Sequence, residues 1–233
     1  TADRADSDTR FAAAQRVLTE AIAAGAFPGC AFGVLAGGRV VLEAALGRFT
    51  YEESAPAVSP QTVFDIASVT KAAAATAAAM VLYQRRLLDI DMLAGDLLPG
   101  FIIGREPGSG ARRISLRHLL AHNSGLPAYV EFFRTQTTPA RLFRACLELP
   151  IEAEPGTRAE YSDPGFILLG KAIEVLTGEP LANWLERELF DPLGMASTRY
   201  CPRLSSRSAI PPTQADDQLR FRLVQGEVQD DNA

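Results

Sequence analysis

Lysine is almost missing from this chain. Of its 23 basic residues 21 are arginine, leaving only Lys71 and Lys171. Histidine is as scarce, with His118 and His122 alone, and cysteine stops at three. Each scarcity removes possibilities. With a formal charge of −5 and no basic cluster larger than Arg85-Arg86 or Arg112-Arg113, there is no footing for nucleic acid. Cys30, Cys146 and Cys201 are odd in number and widely spaced, which argues against a disulfide framework and against a Cys-rich metal site; buried free thiols are expected. His118 and His122 stand four apart, as two ligands on a helix would. Yet H-L-L-A-H lacks the glutamate of the metalloprotease pattern and no third ligand announces itself, so both read as structural. No metal and no cofactor is expected. With both histidines committed there, a Ser-His-Asp triad is poorly supported, and Gly-x-Ser-x-Gly is absent. No apolar run nears the ~20 residues that span a bilayer; the longest, Ala72 to Leu82, is short and mostly alanine. The polar N-terminus T-A-D-R-A-D-S-D-T-R has no signal-peptide core, which leaves bacterial cytoplasm, or periplasm or secretion after processing, equally open.

What remains is the balance of an ordinary globular enzyme, 47% apolar and 22% charged over 233 residues. Phe11, Ala14, Val17, Leu18, Ala21 and Ile22 recur at helical spacing, and Gly25 supplies a stop. C-A-F-G-V-L-A and R-V-V-L-E-A-A-L-G are β-rich runs joined by Gly37-Gly38, a pair suited to a two-residue hairpin turn. An Ala-rich helix should run from near Ser68, capped by Asp65, to about Arg86, its small side chains letting neighbours approach. Thr138 caps a further helix with Pro139 at its first position. F-I-L-L-G-K-A-I-E-V-L-T-G is a strongly apolar helix ending at Gly178, and everything from Cys201 onward reads as loop. The sequence therefore divides into 1–62 (helix and hairpin), 63–200 (mostly helical) and 201–233 (loop or connector). A lone hairpin beside so many helices is unbalanced. Either the tail hides strands or the rest of a sheet lies elsewhere.

A lysine retained in an arginine-rich chain is a candidate proton carrier, because arginine cannot release its proton and a desolvated lysine can. Lys71 falls three residues after Ser68, so the two share a helix face. Ser68 in the first turn meets unpaired N–H groups that favour negative charge. A serine nucleophile needs a base and positive potential for its oxyanion. A lysine one turn on has the geometry for that base, but serves as one only if burial and neighbouring positive potential lower its pKa. Tyr161-Ser162-Asp163 lies between a turn-rich loop and the apolar helix. There Tyr161 could shuttle protons, or simply pack, with Asp163 as the cap before Pro164.

In order, F-D-I-A-S-V-T-K, L-R-H-L-L-A-H-N-S-G-L-P and P-G-T-R-A-E-Y-S-D-P-G-F-I-L-L-G-K-A-I-E-V-L-T-G-E-P-L-A-N-W-L-E-R-E-L-F-D-P-L-G-M resemble the serine β-lactamase-related family. That family takes in class C β-lactamases, D-alanyl-D-alanine carboxypeptidases, D-aminopeptidases and family VIII esterases. The resemblance spans nearly all of residues 10–200. It implies an α/β (α+β) β-lactamase/transpeptidase-like fold, an antiparallel sheet flanked by helices plus an all-helical region. It also implies an acyl-enzyme on Ser68, with Lys71 as its proton partner and Tyr161 sharing the base role. The substrate would be a small molecule or peptide. Asp163 stands at the substrate-binding position where β-lactamases keep Asn. An ionised Asp accepts but cannot donate a hydrogen bond, which favours a small ester or a D-amino-acid peptide over a β-lactam. Asp163 could also pair with Lys71 and raise its pKa, against a base role. The family's third motif, K-T-G or H-x-G, has no counterpart, since no Lys follows Lys171 and no His follows His122. The expectation is a chain completed by a C-terminal segment or a second chain. The alternative is a non-catalytic binding or scaffold relative.

Overall fold

In the computed structural model, residues 10–202, 204–228, 230 and 232 are described; the polar stretch 1–9 lies outside them. The chain forms two compact units, one from Thr1–Asp65 with Cys201–Gln229, the other from Ile66–Tyr200 with Asp230–Ala233.

In the first unit the helical spacing yields α1 (Ala12–Ala23), and Gly25 turns the chain at φ +75°. Gly37 and Gly38 then take φ +56° and +74°, a left-handed pair that only glycine adopts without strain. They close β1 (Gly29–Ala36) onto β2 (Arg39–Gly47) as an antiparallel hairpin, with Cys30 opposite Leu46 and a register shift after Val34. α1 packs on β2 but has no fully buried residue, and Val17, Leu35 and Val40 are exposed.

The tail departs from the expected loop. A 3₁₀ helix at Leu204–Ala209 leads to β3 (Gln214–Asp216) and β4 (Arg222–Val224), a second two-stranded antiparallel pair. The Asp216 carboxylate reverses the chain by accepting from the N–H groups of Gln218 and Leu219 at 3.0 and 2.8 Å. Strands of three residues are too short for an alternating pattern to register. The cysteines are free, as expected, but only Cys146 is buried; Cys30 is half-buried and Cys201 exposed.

The second unit is helical. α2 (Ala77–Gln84) is entered through a π-helical segment, Lys71–Thr76, instead of one uninterrupted α-helix to Arg86. Its buried row is Ala74, Ala75, Ala78, Ala79 and Leu82, so small side chains face the interior. There follow α3 (Ala94–Leu97), α4 (Leu116–Leu120), α5 (Pro139–Glu148) and α6 (Asp163–Thr177). Last comes α7 (Leu181–Leu185), which continues π-helically over Glu186–Phe190. Thr138 caps α5, and Gly178 ends α6 at φ +73°. α6 is the axis of this unit: α3, α4, α5, α7 and the π-helical segment all pack on it. Leu168, Leu169, Ala172 and Ile173 have no measurable exposure. Each fully buried Leu or Ile contributes about 1.5–3 kcal/mol. That burial fixes the α6 N-terminus, and with it Asp163, against the start of the Ser68 helix.

Candidate active site

Ser68 sits on a tight turn at the mouth of α2. Ala67 before it takes φ +43°, a conformation costing a residue with a Cβ roughly 1–3 kcal/mol. The N–H groups of Val69, Thr70 and Lys71 then donate to the carbonyls of Ile66, Ala67 and Ser68, each at 3.0 Å. Such i→i+3 turns nearly eclipse side chains three apart. Lys71 is thereby brought over Ser68, and its Nζ donates to Ser68 Oγ at 3.0 Å.

Asp163 arrives from the other side on the first turn of α6. Its Oδ1 lies 2.7 Å from Lys71 Nζ, with the two side chains 20% and 17% exposed, so this ion pair escapes most of the screening of a surface pair. The approach is a charge contact off hydrogen-bond alignment, and buried Oδ1 makes no hydrogen bond among the described residues. Tyr161 completes the group: Lys71 Nζ is 5.0 Å from its ring centroid and 6.0 Å from that of Phe166. Three of the four residues singled out in the sequence, Ser68, Asp163 and Tyr161, thus surround the ammonium group of the fourth, Lys71.

Burial pulls the Lys71 pKa down, while close contacts with Asp163 and Tyr161 push it up; the balance lies above the ordinary lysine value. The conflict foreseen for Asp163 is therefore present. At neutral pH Lys71 is an ammonium that donates to Ser68 and does not accept from it.

Two residues escape a reading of the sequence alone. Ser162, not Asp163, caps α6. Its Oγ accepts from the Gly165 N–H at 3.2 Å and donates to the Pro127 carbonyl at 2.7 Å. Asp163 is relieved of capping and its carboxylate can face Lys71. His122 is not remote from the chemistry either: its ring lies 4.6 Å from that of Tyr161 and 4.8 Å from that of Phe166. The available signal is its place directly before Asn-Ser-Gly, at the entrance of a turn. Gly125 in that turn has φ +77°, and a Cβ there would lie 2.0 Å from the Ala153 carbonyl oxygen. His118 serves α4 instead, its Nδ1 accepting from the Ser115 N–H at 3.1 Å. Among the described residues no group of three or more His, Cys, Asp or Glu side chains could hold a metal ion. No helix among them is long and apolar enough to cross a membrane.

With this geometry the chain meets the Beta-lactamase family model, which matches residues 14–227. The chain belongs to that family of serine hydrolases and has the β-lactamase/transpeptidase-like fold. It is 31% identical, over 94% of its length, to an N-acetylmuramyl-L-alanine amidase of Bacillus subtilis, and spans 55% of that relative. It is also 31% identical, over 72% of its length, to penicillin-binding protein 4 of Amycolatopsis lactamdurans, of which it spans 40%. Among solved structures it resembles EstCE1, a hydrolase with promiscuous acyltransferase activity. The TM-score is 0.71 at 27% identity, covering 91% of this chain and 57% of that one. The chain thus spans about half the length of the relatives it matches.

Proposed function

We propose that this protein hydrolyses an ester or amide through an acyl-enzyme on Ser68. The observation that carries the reading is the 3.0 Å contact of Lys71 Nζ with Ser68 Oγ. The side chains of Asp163 and Tyr161 close around the same ammonium. In the reactive form Lys71 is neutral and takes the Oγ proton as Oγ attacks the substrate carbonyl carbon. The proton then passes, with Tyr161 as second carrier, to the departing alcohol or amine as its bond to the carbonyl carbon breaks. Water repeats the sequence to release the acid. Because Asp163 and Tyr161 hold the lysine pKa high, the reactive form is scarce at neutral pH and grows with alkalinity.

The substrate in this reading is a small ester or a D-amino-acid peptide. Relatives named as amidase and as hydrolase with acyltransferase activity support an acyl-transfer reaction of this kind. Asp163 cannot donate to an acyl-amide carbonyl, and its charge is already engaged by Lys71. The test compares kcat/KM for a short-chain nitrophenyl ester, a D-Ala-D-Ala peptide and a cephalosporin. The ester or the peptide should lead. A cephalosporin preferred by orders of magnitude would overturn the substrate assignment.

A further inference from the structure

His122 is tied at three points to the stretch from Glu160 to Ser162, which leads directly into Asp163. Its Nδ1 accepts from the Ser162 N–H at 3.0 Å, its own carbonyl accepts from the Glu160 N–H at 2.7 Å, and its ring lies tilted against that of Tyr161, 4.6 Å between centroids. The Ser162 N–H belongs to the peptide joining Tyr161 to Ser162, one residue ahead of Asp163. One imidazole thus fixes the backbone between both groups that embrace Lys71. The residue also sits at φ +53°, a left-handed conformation that a histidine keeps only where its surroundings hold it.

We propose that His122 is a positioning residue for the Ser68 site, holding Tyr161 and Asp163 in register with Lys71 only while its imidazole is neutral. The inference rests on the serine-hydrolase reading above. An N–H can only donate, so Nδ1 must be the acceptor and the ring proton must sit on Nε2. An imidazolium carries protons on both nitrogens and accepts nothing. Protonation therefore turns the Ser162 contact into two donors facing each other, and the segment must move. The charged groups acting on His122 are Lys71, from the π-helical segment that enters α2, and Asp163 from α6; the carboxylate of Glu160, whose N–H bonds the His122 carbonyl, is paired with Arg158. Burial and the Lys71 charge, against Asp163, hold the imidazole pKa below its ordinary value, so the neutral ring persists into mildly acid solution.

The experiment follows the rate of Ser68 labelling by a fluorophosphonate between pH 4.5 and 9, by mass spectrometry, in the full-length protein. Wild type is compared with His122→Asn and His122→Gly. Asparagine places an acceptor oxygen near the Nδ1 position, tolerates left-handed φ and does not titrate in this range. Glycine tolerates the same φ and offers no acceptor. On top of the steady decline with acid that Lys71 imposes, the wild-type rate should show a second, steeper fall at a pH below the ordinary imidazole value of 6.5. His122→Gly should lose roughly 100-fold at every pH, the scale of a small misplacement of reacting groups. His122→Asn should recover most of that rate and lack the second fall, keeping only the slope set by Lys71. A second acid fall that persists unchanged in His122→Asn, or a wild-type rate in His122→Gly, would overturn the inference while leaving Ser68 as the labelled residue. A wild-type protein that takes no label at any pH would overturn the hydrolase reading and this inference with it.

Discussion

Lys71 Nζ stands 2.7 Å from Asp163 Oδ1, a contact between the start of one helix and the first turn of another. With Tyr161, and against burial, it strengthens the hold of the lysine beside Ser68 on its proton. With asparagine at 163 the charge on that side of the ammonium is gone, and the lysine pKa falls toward or below 10.5. In Asp163→Asn the alkaline rise of acylation rate should therefore move to lower pH. Every tenfold weakening of the lysine's hold on its proton raises the neutral fraction about tenfold. Stability should respond in the same sense. A raised lysine pKa contributes stabilisation that is fully present below 10.5 and is lost as pH rises through the folded-state value. Denaturant titrations across that alkaline window should show a steeper loss in wild type than in Asp163→Asn. An unmoved rate profile would show that Asp163 does not govern Lys71.

In the proposed mechanism Lys71 supplies a releasable proton, so charge alone cannot replace it. Lys71→Arg should lose roughly 10²–10⁴-fold in acylation rate, as much as Lys71→Ala, because arginine keeps its proton. Stopped-flow acylation of the two variants would check this. Substantial activity in Lys71→Arg would reduce the lysine to a source of positive potential.

Ser162 is a cap whose loss should be structural first. Its hydroxyl, nearly inaccessible, joins the Gly165 N–H to the Pro127 carbonyl. Ser162→Ala should cost about 1–2 kcal/mol in chemical denaturation with an unchanged denaturant slope. A variant as stable as wild type would show that solvent replaces both bonds.

Asp216 makes the tail hairpin sensitive to acid. The backbone N–H groups of Leu219 and Gln218, with Arg220, hold its carboxyl at about 2, below the usual carboxylate value of 3.8. A depressed carboxylate pKa gives stabilisation that is present above 3.8 and is lost as pH falls toward about 2. Protection of the β3 and β4 amides from hydrogen exchange should fade through that window, and Asp216→Ala should remove it at every pH.

Much of this is legible in the sequence because local signals agree with the fold. Gly37-Gly38 announces its hairpin, and Thr138-Pro139 and Gly178 mark helix ends. Ser68, Lys71, Tyr161 and Asp163 stand out by residue type, spacing and family resemblance, and the fold brings them together. The failures share a cause. The π-helical entry at Lys71–Thr76 follows from packing of an alanine face, and no propensity distinguishes it from an α-helix. β3 and β4 are too short to carry a period. His122 is structural, as read, but its partner, the Ser162 N–H, lies 40 residues away in sequence, which its spacing to His118 does not reveal. Contacts of that separation leave no local trace.

The nucleophile itself is open to one measurement. The protein is exposed to a fluorophosphonate, digested, and the adduct located by tandem mass spectrometry, with Ser68→Ala carried in parallel. A single adduct on the peptide bearing Ser68, absent from Ser68→Ala, is the predicted result. An adduct on another serine, or labelling that survives Ser68→Ala, would contradict it.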